Sequence, residues 1–197
     1  MRTIKTGRPI RGSASVKFVI LLMLLAGLGI AVDYRMSIPG SSLVDRLRAK
    51  PVVLDVDSLS GENQLSIKQT YHHLRYTCAP EHGILGDFVC WATVSDFNGI
   101  DARLIAFFFR NDKLSSVRVS FSAEDHPKML SLMQKRFGPE RRFGQRTDAF
   151  GNNIVGWIRP SGIVAINDSA DGNEEPFLLW TSADTILKKV LGTAPGR

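Results

Sequence analysis

Four side chains of metal-ligating type lie close together in this sequence: His73, Cys78, His82 and Cys90. Tetrahedral zinc takes ligands of these types, but the H-x4-C-x3-H-x7-C spacing fits no standard zinc template. On a helix, His73 and Cys78 would also point about 140° apart. The two cysteines enclose eleven residues and are read instead as one disulfide, Cys78–Cys90, in an oxidising compartment. Two acidic stretches begin like calcium loops. Asn167-Asp168-Ser169-Ala170-Asp171-Gly172 offers oxygen at the first, third and fifth positions, but Leu178 stands where the bidentate acid belongs. Asp55-Val56-Asp57 fails at Leu59, Ser60 and Ser66. Both are read as turns, so neither a metal nor a cofactor is expected.

Nucleophilic catalysis finds no support either. The chain has no Gly-x-Ser-x-Gly elbow, no Cys-x-x-Cys, no phosphate-cradling loop and no His-Glu-x-x-His. The four histidines read as surface or cap residues, and no catalytic residue is assigned. One local charge run stands out. KRFGPERRFGQR carries Lys135, Arg136, Arg141, Arg142 and Arg146 with Phe137 and Phe143 interleaved. It is a candidate patch for an anionic ligand, whether headgroup, acidic glycan or acidic partner, unless it is a solvated connector.

The elements that would position these groups start with a leader. Residues 1–17 carry Arg2, Lys5, Arg8, Arg11 and Lys17 and no acid; residues 18–32 then run FVILLMLLAGLGIAV without a charge. Five of the 25 basic residues thus belong to the leader, leaving 20 basic against 19 acidic side chains. The formal charge of +6 is therefore topogenic, and a nucleic-acid partner is not expected. Fifteen apolar residues span roughly 22 Å as a helix, short of a bilayer core. Flanking residues stretch the segment, and Gly29-Ile30-Ala31 offers a cleavage site. The expectation is a basic cytoplasmic tail (1–17), a transmembrane signal anchor or signal peptide (18–36), a juxtamembrane connector (37–64), a periplasmic domain (65–192) and a disordered tail (193–197). The location would be the bacterial inner membrane, single-pass, with the domain in the periplasm.

Within that domain, Ile67, Tyr71, Leu74 and Cys78 form one helical stripe stopped by Pro80. A meander follows in 88–97, 100–109 and 114–121, with Asn98-Gly99 as a hairpin turn. Ser122 to Phe137 reads as a second helix stopped by Gly138-Pro139. A second meander is predicted in 154–158, 163–166 and 177–180, and a last helix in 182–191. The order α-βββ-α-βββ-α gives an α+β fold: an N-terminal membrane helix, then antiparallel meanders of about six strands with helices on one face. Leu104 to Phe109, LIAFFF, does not alternate. Both its faces must be covered, by helices on one side and the second meander on the other, or one face is an interface.

The motifs GDFVCW, FNGIDA, FFFRNDKLSSVRVSF and LMQKRFGP, behind an apolar leader, resemble those of small bacterial cell-envelope proteins. In outline they are also similar to accessory lipoproteins of the outer-membrane β-barrel assembly machine and to β-lactamase-inhibitor-like domains. The likeness covers roughly Leu65 to Pro139. It lacks the lipid-bearing cysteine and carries no functional residue across. It implies a helix-plus-antiparallel-sheet binding module. The expected function is a membrane-anchored envelope interaction or assembly module without catalytic activity, meeting the membrane through one span and a protein partner in the envelope. The competing expectations are an exported enzyme acting on cell-wall or lipid substrate, and a lipid-contacting domain using Arg141 and Arg142.

Overall fold

A computed structural model describes residues 48–147, 153–170 and 175–185, with the side chains of 144–147 set aside. The expected membrane segment at 18–36 lies outside them. Among the described residues, no helix is long and apolar enough to cross a membrane.

The strands are β1 (Lys50–Val52), β2 (Thr77–Pro80), β3 (Phe88–Phe97), β4 (Ile100–Asp101), β5 (Leu104–Arg110), β6 (Lys113–Ser120), β7 (Arg141–Thr147), β8 (Asn153–Arg159), β9 (Gly162–Asn167) and β10 (Phe177–Ser182). The helices are α1 (Gln64–Thr70) and α2 (His126–Phe137), with 3-10 turns at Val56–Ser58 and Ala123–Asp125. All ten strands form one sheet in the order β1-β3-β5-β6-β10-β9-β8-β7, with β2 and β4 also paired to β3. It is mixed, because β1 runs parallel to β3 while every other pairing is antiparallel.

This corrects the expected architecture. The sheet has ten strands instead of about six, and the second meander extends the first through β6–β10 instead of covering it. Each half is a helix followed by a four-strand meander, α1 with β2-β3-β5-β6 and α2 with β7-β8-β9-β10. The last strands of the two halves meet in the middle of the sheet.

Helix α1 is shorter than its apolar stripe suggests. Asn63 caps it in a reciprocal capping box with Ser66, and it closes at Tyr71. Ile67, Tyr71 and Leu74 all reach the core, but Cys78 does so from strand β2. The run Tyr71-His72-His73-Leu74-Arg75-Tyr76 is rich in weak helix formers, and strand pairing wins beyond it. Helix α2 begins at His126 after the 3-10 turn, with Pro127 in its first turn, and ends at Gly138 (φ 82°). Of the expected last helix, residues 183–185 are helical and the remainder lies outside the described residues.

Strand alternation sorts side chains cleanly onto two faces. On the helix face, Cys90, Phe107, Val117, Trp180, Val164 and Trp157 stand in one cross-strand row. Met129 and Met133 of α2, with Ile67 of α1, belong to the same buried cluster. Residues 52–59 join it. Val52, Leu54, Val56 and Leu59 are buried, so the stretch assigned to a connector supplies core. LIAFFF is interior on both faces. Ile105, Phe107 and Phe109 join the helix-side cluster, whereas Leu104, Ala106 and Phe108 form a second one with Val89 and Leu85. The cover on that side is the loop 81–87. Ser115 Oγ lies within hydrogen-bond distance of the carbonyls of Leu85 and Phe108, which share its one proton. A Cβ on Gly86 would collide with the Phe109 backbone, 2.6 Å from its carbonyl oxygen, so only glycine lets the loop lie this close.

Candidate functional site

Cys78 and Cys90 are directly opposed on β2 and β3, with Cα atoms 4.1 Å apart, and form a disulfide. It joins two strands of one hairpin; the expected tie from helix to strand is absent because Cys78 is not helical. The bond leaves no free thiol for the zinc alternative. His73 Nε2 donates to the Pro51 carbonyl at 3.1 Å. Among the described residues no group of three metal-type side chains converges.

The two acidic stretches make turns and ion pairs. Asp55 accepts from the Asp57 amide and pairs with Arg136. The two Asp57 carboxylate oxygens accept from Nε and Nη2 on one edge of the Arg159 guanidinium, at 3.1 and 2.9 Å. The Arg159 hydrogen bonds hold the Asp57 carboxyl below its ordinary value, ahead of the opposing effect of burial. Arg159 also stacks on Phe137, 4.7 Å from its centroid. This cluster clamps residues 55–57 onto the end of α2 and the start of the β8–β9 turn. Asn167 is buried, its Oδ1 accepting from the Phe177 amide, and Asp168 pairs with Arg142 at 3.3 Å. Asp171 and Gly172 lie outside the described residues.

His126, expected at the surface or as a cap, is only 5 % exposed. Its Nε2 lies 2.7 Å from the Asn167 carbonyl, which can only accept, so Nε2 carries the proton. Beside it, Ser122 Oγ and Lys128 both donate to the buried Asp125, and the Lys128 and Ser122 contacts hold the Asp125 carboxyl low. The hydroxyl thus points at an acid already neutralised by a lysine, and the imidazole at a backbone oxygen. The arrangement fastens the start of α2 to the end of β9; it does not pair a nucleophile with a base.

The basic run is spread out by the fold. Lys135 is exposed near the end of α2, and Arg136 is taken up by Asp55. Arg141 and Arg142 are consecutive on β7, so they point to opposite faces of the sheet. Arg142 opposes Val155 on the helix side, and Arg141 opposes Gly156 on the other. The side chain of Arg146 lies outside the described residues. Two sequence signals thus went unread: β7 itself, hidden by its charge, and the burial of His126.

The largest feature left is the sheet face opposite the helices. One row crosses it from Trp91 through Ala106, Arg118, Leu179, Ala165 and Gly156 to Arg141. Loop 81–87 covers its β3–β5 end. Over β8–β10, no described element lies across Ile154, Ile163, Ala165, Phe177 and Leu179, which are half-buried, and Ile158 is 40 % exposed. The Arg118 guanidinium lies 4.8 Å from the Phe177 ring centroid. The Phe143 ring lies over Gly156, where a Cβ would stand 2.8 Å from its edge. The face thus combines aromatic, aliphatic and arginine side chains.

No family model, no curated protein and no solved structure matches this chain.

Proposed function

We propose that this chain is an interaction module of the bacterial cell envelope, tethered through residues 18–36 to the inner membrane and working on the periplasmic side. The observation that carries the reading is the face of β8–β10 turned away from α1 and α2, across which no described element lies. Its half-buried apolar side chains sit on a ten-stranded support, and Ile158 projects from it. A partner gains apolar burial there at little ordering cost. The cationic, acid-free leader supports the topology. The Cys78–Cys90 bond supports an oxidising compartment.

A photo-crosslinking residue placed at Ile158 of the full chain in living cells tests the reading, with Leu65, exposed on α1, as control. Position 158 is expected to give a discrete protein adduct that position 65 does not. Equal or absent adducts would remove the binding role. A reporter fused behind Arg197 that is active only in the cytosol would remove the envelope location.

A further inference from the structure

We propose that the Cys78–Cys90 bond is a site of thiol–disulfide exchange with an external protein dithiol of the Cys-x-x-Cys class, which attacks Cys78 and expels Cys90. The inference goes beyond the interaction role and does not rest on it. The two sulfurs differ in access. Cys90 is 1 % exposed and belongs to the core cluster from the inner strand β3. Cys78 is half-buried on β2 and packs against that cluster from outside. Strand β2 pairs with β3, and among the described residues no strand lies beyond it. Displacement at a disulfide sulfur is in line, so the nucleophile enters opposite the sulfur that leaves. On the far side of Cys90 the cross-strand row continues with Phe107, which is fully buried. Its ring packs against Tyr71 and Tyr76, with centroids at 5.9 and 6.2 Å. An attacker aimed at Cys90 would have to take the place of that ring. One aimed at Cys78 arrives from the edge of the sheet.

The leaving side is prepared as well. Gln64, the first residue of α1, donates from Nε2 to Cys90 Sγ at 3.5 Å. The capping box of Asn63 with Ser66 fixes the start of that helix. When the bond breaks, its electron pair goes to Cys90 Sγ, and the negative charge grows beside a donor already in place. The partner's thiolate has by then formed a bond to Cys78 Sγ, and the Cys90 thiolate takes a proton from solvent. The partner's other thiolate next attacks its own sulfur in the mixed disulfide. That step releases Cys78 as a thiolate, which is protonated in turn. One electron pair has passed from the dithiol, now a disulfide, to the chain, now with two thiols. The same steps in reverse close the bond. Pairing at Thr77–Trp91 and Ala79–Val89 flanks the cysteines on both sides, so the opened sulfurs stay adjacent.

The test exposes the oxidised full chain to reduced glutathione, quenches the reaction early with acid and maps the adduct by mass spectrometry. Glutathione is expected on Cys78 over Cys90 by about tenfold or more in the folded chain, and about evenly on the two in denaturing urea. Gln64→Leu should slow opening of the folded chain by about tenfold and leave the rate in urea unchanged. A synthetic Cys-x-x-Cys peptide should reduce the folded chain about tenfold faster than glutathione at equal thiol concentration, because its second thiol acts before Cys90 recloses the bond. Even labelling of the two cysteines in the folded chain, or a bond that stays closed until urea is added, overturns the proposal, since opening would then require unfolding. A preference for Cys78 that persists in urea overturns it too, by assigning the selectivity to local sequence instead of to the fold. An unaltered rate in Gln64→Leu removes the prepared leaving group, and equal rates for peptide and glutathione remove the dithiol partner.

Discussion

Breaking the Cys78–Cys90 bond should cost the domain about 3 kcal/mol. The bond closes a segment with a sequence separation of 12. In the chain-entropy treatment, releasing a loop of that size returns about 3 kcal/mol of freedom to the unfolded chain. The native side supplies little relief to offset this. Cys90 is buried among the core residues, and the two strands are also paired at Thr77–Trp91 and Ala79–Val89 on either side of the bond. The loss should therefore arise in the unfolded state and leave the native fold unchanged. Urea titrations of oxidised and reduced protein, read by tryptophan fluorescence, measure the difference, and a Cys78→Ala, Cys90→Ala double variant separates bond loss from thiol chemistry. The melting temperature should fall by roughly 10 °C. A change below about 1 kcal/mol in protein shown by mass spectrometry to start oxidised would refute the reasoning. The β2–β3 hairpin would then lie outside the cooperative unit, or stay closed in the unfolded chain.

Three other perturbations have defined outcomes. Asp57 has a folded-state pKa below its ordinary 3.8 because Arg159 binds the carboxylate; its stabilisation is present above that value and lost as pH falls through the lower folded one. Asp57→Asn should therefore flatten the acid limb of stability below about pH 4 and cost at most about 1 kcal/mol at neutral pH, since the pair is partly solvated. An unaltered acid unfolding profile would remove the clamp. Gly156→Ala would drive a Cβ into the Val164 carbonyl and the Phe143 ring; a loss of about 3 kcal/mol in urea unfolding is expected, and an unchanged midpoint would contradict the close β8–β9 approach. Met133→Ala empties a fully buried site under α2 and should cost about 3 kcal/mol by the same measurement, whereas a loss under 1 kcal/mol would mean that α2 is not seated on the sheet.

The sequence by itself determined what depends on neighbours along the chain. Val117, Val119 and Phe121 alternate with Arg118 and Ser120, and that period marked β6. Asn98-Gly99 marked a turn, and both residues take positive φ, 52° and 81°. The cysteine pair could be read because two sulfurs in so short a segment have little else to meet. Only the tertiary structure decided what depends on distant partners. Strand β7 reads as a charged connector until β8 supplies the opposite half of its ladder. Strand β1 is too short to be seen without β3. The interior LIAFFF strand shows that two faces are covered, but not that loop 81–87 rather than a second sheet covers one of them. Arg141 and Arg142 are adjacent in the chain, and strand pleating parts them onto opposite faces. Local periodicity specifies which side chains share a face; the pairing of β6 with β10, which makes two meanders one sheet, is decided by contacts far apart in sequence, where the pattern carries no information.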